Sequence, residues 1–433
     1  MVRKCIEAIS LVVLLAIAAA NMAPVVVQAS PDWYDTNWQY RNKITINGDN
    51  VTAALTNFPV FVSLTNNTDL GSKAQLDGDD ILFTASNGAT KLSHEIEKYS
   101  SNGVSANLTA WIKIPSLSSP ANTDIYMYYG YGTAGSQQDT ANVWDSNFKM
   151  VQHLEETAGG VNTITDSTSY GNHGTDGNTP TFNVAGKMDG AISFTSASSE
   201  YIQLPASNTI LNADGFTLET WFITATNHPA YGAEGRLVNL HRGATVGSAV
   251  SLYVVQDQIA LFYYEGITSH YLTYTVNYYD SVPHHIAATH SSSDNTYRLY
   301  YDGFLVASES NVFVGFGTYP AFLATHNYTE RFFNGTLDEV RISNSVRSVD
   351  WIKTSYNNQN NPSTFYTLGT EENKPVAPTP PPIAVGATVY PVHKLYVMVS
   401  WLGLVLLRLL PLTVAGFMLF LLRPRVRSRI DKS

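Results

Sequence analysis

Apolar and polar residues alternate along most of this chain, in runs of strand length. Ile44 and Ile46 alternate with polar neighbours and stop at Asn47-Gly48-Asp49-Asn50, a turn sequence. Leu108, Ala110, Ile112 and Ile114 alternate with Thr109, Trp111 and Lys113, and Ile125, Met127 and Tyr129 repeat the pattern before Gly130. Further on, Phe216, Leu218 and Thr220 fall on one side of an extended segment and Trp221 on the other. The stretch Asn334–Arg347, NGTLDEVRISNSVR, sets Leu337, Val340 and Ile342 among polar residues, which suits a half-buried strand between a Gly turn and a Ser/Asn cluster. Asp338 and Glu339 sit beside those apolar residues, where a bare carboxylate is costly unless something pairs with it. Strands without intervening helical repeats predict an all-β chain built of sandwiches. Asp350–Tyr356 predicts a short helix beyond them.

Two stretches break the alternation. Ile9–Ala20 is a largely apolar run behind Arg3 and Lys4, and Val27-Gln28-Ala29 offers a small-residue cleavage site, so residues 1–29 read as a secretory signal peptide or an uncleaved N-terminal anchor. Leu395–Leu422 is long enough to cross a bilayer, and Arg423, Arg425, Arg427, Arg429 and Lys432 follow it as a cationic cluster that favours the cytoplasmic side. Arg408 lies mid-span beside Pro411; it either snorkels, pairs with an acidic residue of a membrane partner, or marks a re-entrant turn. Residues 373–394 are rich in Pro and read as a semi-rigid spacer. The expected organisation is a signal peptide at 1–29, a first sandwich at 30–140, a second at 141–372, the spacer, a transmembrane helix at 395–422 and a basic tail at 423–433. The expected location is a cell membrane, with the sandwiches outside.

Composition narrows the function. Charged residues make up only 14% of the 433, and 26 are Tyr, a mix that suits strand-rich extracellular modules. Of 25 Lys and Arg, two precede Ser30 and seven follow His393; the span between carries 16 against 33 acids, about 17 charges negative, which argues against nucleic acid as a partner. The one cysteine, Cys5, precedes the first apolar run, so the mature chain has no disulfide and no thiol chemistry.

Several motifs resemble known families. Asp166–Gly174 (DSTSYGNHG), Phe216–Trp221 (FTLETW), His285–Thr289 followed by Leu299–Gly303, and NGTLDEVRIS resemble the laminin-G-like, concanavalin A-type jelly roll; the Trp usual before its central His is replaced around Val282 and Pro283. Trp38–Arg41, Asn57–Val60, Asp77–Ile81 and Ile125–Gly130 resemble the domain of unknown function that often precedes such modules in prokaryotic surface proteins. The resemblance implies an all-β chain of two tandem β-sandwiches, the second a jelly roll. It also implies a structural Ca2+ held by Asp166 and Asp338; otherwise Asp166 caps a turn and Asp338 pairs with Arg341 or backbone amides.

Other candidate chemistry comes from the residues themselves. Leu252–Asp280 is dense in aromatic rings, and Tyr253, Tyr263, Tyr264 and Tyr271 are candidates for stacking on sugar faces. His284, His285 and His290 lack the helix and Glu of a zinc protease, and no nucleophile elbow or phosphate loop occurs. The alternating carboxylate pair of a jelly-roll glycosidase is not found, and the adjacent Glu155 and Glu156 are expected to point to opposite faces of a strand. Asn50, Asn66, Asn107, Asn327 and Asn334 head glycosylation sequons. The expectation is a membrane-anchored binding or adhesion protein, not an enzyme, with polysaccharide or a surface protein as partner. The rival is a structural subunit of a surface layer or envelope complex.

Overall fold

The computed structural model describes residues 32–375, apart from 213–214, 244–246, 266–267 and 314. The expected signal peptide, the spacer beyond residue 375, the membrane span with Arg408 and the basic tail lie outside the described residues. Among the described residues no helix is long and apolar enough to cross a membrane.

The alternation becomes strands, and every strand pair is antiparallel. The first sandwich faces a three-stranded sheet (Leu55–Asn67, Ala106–Leu117, His94–Ser101) against a five-stranded one. The order of the latter is Tyr366–Asn373, Tyr40–Ile46, Thr123–Tyr129, Leu82–Ala85, Lys91–Leu92. Its edge strand comes from the far end of the chain: Tyr366–Asn373 pairs with Tyr40–Ile46 across the whole second sandwich. Residues 366–372, which the sequence grouped with the second module, therefore complete the first. Asp80, in the stretch Asp77–Ile81, is fully buried; its carboxylate accepts from the amides of Gln75, Gly130 and Tyr131.

The second sandwich is the jelly roll. Its eight-stranded sheet centres on Gly335–Ser343, flanked by Gly190–Phe194, Phe216–Ile223 and Phe148–Gln152. Its seven-stranded sheet runs Thr268–Thr275, Gln258–Glu265, Gly247–Val255, Gly235–Gly243, Pro320–Leu323, Tyr201–Ala206, Thr175–Gly177. Leu218, Phe222, Leu252, Leu261, Tyr263, Leu299, Leu337, Val340 and Ile342 meet between the sheets in one apolar core. Leu337, Val340 and Ile342 are out of step for a regular strand, and a bulge resolves this. Glu339 takes φ +53°, one extra residue faces the partner strand, and Asp338, Glu339 and Arg341 all turn away from the core.

The sandwiches are parts of one compact unit spanning residues up to Lys374. The predicted helix forms as Val349–Asn360, capped by Ser348, whose side chain accepts from the Trp351 amide. It lies between the sandwiches. Trp351 packs on Phe58, and the Asn358 side chain accepts from the Phe61 amide and donates to its carbonyl. On its other side, Gln359 accepts from the Trp221 indole.

Candidate functional site

Period two sorts the aromatic stretch. Along Gln258–Glu265, Ile259, Leu261 and Tyr263 enter the core, while Ala260, Phe262 and Tyr264 face outward. On the neighbouring strands Tyr253 and Tyr271 also face outward, opposite Ala260 and Phe262. The four candidate tyrosines therefore divide. Tyr264 and Tyr271 line one pocket of about 340 Å³; Tyr253 is buried beneath it; Tyr263 is on the opposite face of the sheet. Tyr263 stacks on Tyr297 at 3.7 Å and its hydroxyl donates to Glu309, so it belongs to the core and not to a binding surface.

Arg236 makes the floor of the pocket. Its guanidinium lies 4.5 Å over the Tyr253 ring and 5.2 Å over Phe262, and donates from Nη2 to Glu234 at 2.7 Å. Nε and Nη1 have no partner, although the side chain is only 2% exposed. Burial lowers the Arg236 pKa, partly offset by Glu234; Arg236 and Arg331 in turn outweigh burial and hold Glu234 below the usual carboxylate range. Burial, with Arg236, His241 and Arg331 nearby, pushes His326 down to about 4, so it is neutral at pH 7. Tyr231 and Tyr271 meet edge to face at 5.8 Å on the rim, each about half exposed. Flat rings around unspent hydrogen-bond donors suit a ligand with apolar faces and polar edges.

Arg236, Glu234, His326 and Tyr231 were missed in the sequence. The available signal was an arginine within the apolar run Gly235–Leu240, since Arg is seldom fully buried without a role. The strand pairing slips between Arg236 and Val238, so Leu237 and Val238 both reach the core and simple alternation does not predict where Arg236 points.

The other candidates are placed as follows. Asp166 accepts from the amides of Val151, Thr168 and Asn172 and from the Thr168 hydroxyl, so it caps its turn. Asp338 accepts from the amides of Lys187 and Met188 through Oδ2, while buried Oδ1 has no partner; burial and Glu339 push this carboxyl up to about 8. The two aspartates share no hydrogen-bonding partner. Asn66 and Asn107 are exposed, whereas the side-chain amides of Asn50, Asn327 and Asn334 donate to neighbouring residues. His284, His285 and His290 sit on the strand His284–Ser291. Glu155 and Glu156 do not point apart as expected. They follow the strand Phe148–Gln152 in irregular backbone, and both line a second cleft of about 460 Å³ with Glu95 and His153. Glu95 and Glu97 do alternate on one strand, His94–Ser101, in the first sandwich, where no such pair was recognised.

A jelly roll with an aromatic, arginine-floored pocket on its outer sheet defines a lectin-like fold, and comparison with known proteins agrees at that level. Residues 196–353 match the family described as the Concanavalin A-like lectin/glucanases superfamily, and residues 77–164 match a Domain of unknown function (DUF2341). The chain thus carries a laminin-G-like module preceded by that domain, as the motifs implied. No curated protein matches the chain. Among solved structures, the binding domain of Paraclostridial Mosquitocidal Protein 1 is similar, with 15% identity over 48% of this chain and 52% of that one and a TM-score of 0.40. The binding domain of botulinum neurotoxin DC in complex with SialylT has 9% identity over 49% and 52%, with a TM-score of 0.39. The chain spans about half the length of these structures.

Proposed function

We propose that this is a surface binding protein whose jelly roll takes a carbohydrate in the Arg236–Tyr264–Tyr271 pocket. The observation that carries the reading is Arg236, held almost fully buried between aromatic rings with two donor atoms unspent. A buried donor left unmade costs about 1–3 kcal/mol, and a hydroxyl- or carboxylate-bearing ligand removes that penalty. Anchoring to the outer face of a membrane is supported by the apolar run Leu395–Leu422 and the arginines after it. The absence of enzymatic activity remains part of this reading. Calcium at Asp166 and Asp338 is supported only by the unpartnered Oδ1 of Asp338.

A glycan array probed with the purified full-length chain tests the proposal. Binding to a restricted set of glycans that is clearly weakened in Tyr264→Ala and in Tyr271→Ala supports it. No binding to any glycan, or binding untouched by either substitution, sinks it, and no binding at all favours the structural-subunit reading.

A further inference from the structure

The seam between the sandwiches holds a second constellation that the carbohydrate pocket does not use. We propose that Glu97, His153 and Glu339 bind a divalent first-row transition ion. The three come from different parts of the fold: Glu97 from the strand His94–Ser101, His153 from just beyond Phe148–Gln152, and Glu339 from the bulge in Gly335–Ser343. Each offers a ligand atom, and these atoms lie within 4.8 Å of one another.

What surrounds them resembles the outer shell of a metal site. Trp111 donates its indole N–H to Glu97 Oε2 at 2.8 Å, leaving Glu97 Oε1 without a partner on a side chain that is 0% exposed. Arg341 donates from Nε and Nη2 to Glu339 Oε2, which leaves Oε1 facing His153 Nδ1 at 2.5 Å. The His153 ring is stacked on Trp111 and tilted against Trp144, so its direction is set before any ion arrives. Its other nitrogen, Nε2, lies 3.4 Å from Glu95 Oε2, and Glu95 is itself held by the Trp144 indole and the Ser167 hydroxyl. Nε2 makes no hydrogen bond as it stands, but a carboxylate on that side of a ligating histidine is a common orienting partner. The unpartnered, fully buried Glu97 oxygen is the independent sign that something is accommodated there.

Ligand chemistry narrows the ion. One imidazole with two carboxylates suits Mn2+, Fe2+, Co2+ or Zn2+, whereas Ca2+ takes oxygen ligands only. Ligand bonds of about 2.0–2.2 Å spread the His153–Glu339 contact to roughly 3 Å, with the ion in place of the shared proton. The cleft lined by His153, Glu95, Glu155 and Glu156 gives an ion a path from solvent. Because the ligands span the seam, a bound ion clamps the two sandwiches.

The full-length chain, freed of metal with a chelator, is titrated with Co2+, Mn2+, Zn2+ and Ca2+ by calorimetry, with Co2+ absorption and tryptophan quenching followed in parallel. Expected are one Co2+ per chain with visible ligand-field bands, quenching through Trp111 and Trp144, and no competition from equimolar Ca2+. His153→Gln is expected to weaken binding at least about a hundredfold and Glu97→Gln at least about tenfold. Glu97→Gln keeps an acceptor for the Trp111 indole, so it carries the test should His153→Gln fail to fold. Stoichiometric binding that survives both substitutions, full competition by Ca2+, or no binding by the folded wild type overturns the proposal.

Discussion

Tyr263 and Tyr264 are neighbours in sequence with opposite fates, and period two is the whole reason. Adjacent residues on a strand cannot share a face, so that much was legible; which of the two faces solvent depended on the second sheet. The structure predicts contrasting variants. Tyr263→Ala removes a fully buried ring from the core and is expected to cost about 3–5 kcal/mol in urea unfolding without altering the pocket walls. Tyr271→Ala, half exposed on the rim, is expected to leave stability nearly unchanged and weaken glycan binding about tenfold, the worth of one aromatic contact. A second residue gives a pH signature. His94 is fully buried against Phe83, its Nε2 has no partner, and burial pushes it down to about 4, with Lys91 adding to the effect and Leu92, Ile81 and Asp139 opposing it. The unfolded chain takes up the proton near pH 6.5 and the folded chain only near 4. This contribution to stability is therefore intact above about pH 6.5 and falls by ~3 kcal/mol as pH drops toward 4. Urea midpoints at pH 7 and pH 5 should show the loss, and His94→Gln should flatten that slope.

At the scale of elements, the strand Gly335–Ser343 shows how far a pattern can be read. The motif identified its module, and Leu337, Val340 and Ile342 identified its core face. The pattern did not reveal the bulge at Glu339, or that Trp111 and Glu97 of the first sandwich would cover it. Burial of Asp338, Glu339 and Arg341 comes from those distant partners, which sequence alternation does not encode. The bulge sets Glu339 against Arg341 with both nearly fully buried. Removing one member of such a pair leaves the other charge buried and unpaired. Glu339→Ala is accordingly expected to cost about 3–5 kcal/mol in denaturant unfolding of the metal-free chain. A loss below about 1 kcal/mol would show that Arg341 finds other partners.

For the whole molecule, the decisive connection is the one that local patterns do not show. Two sandwiches in sequence order suggest two independent domains, yet the first is closed by Tyr366–Asn373, more than 200 residues after its other strands. That strand covers the edge of Tyr40–Ile46, pairs Arg41 with Glu372 at 2.7 Å, and accepts from Lys73 and Tyr129 through Glu371. Phe365 and Tyr366 enter the same apolar core as Phe61, Trp111, Val151 and Trp351, so that core is shared across the seam. A chain stopped at Asn360 keeps the whole jelly roll sequence but loses the strand, leaves Arg41 buried without its carboxylate and opens an unpaired edge. Two large core side chains alone are worth several kcal/mol, and at about 2 cal/mol/K of unfolding entropy per residue each kcal/mol shifts Tm by roughly 1–2 °C in a unit of this size. The truncated chain is therefore expected to melt at least about 5 °C lower by calorimetry and to aggregate through the exposed strand. If the sandwiches were independent, truncation would leave the jelly roll transition where it was and affect only a separate, weaker one. The shared core predicts instead that a single transition moves as a whole.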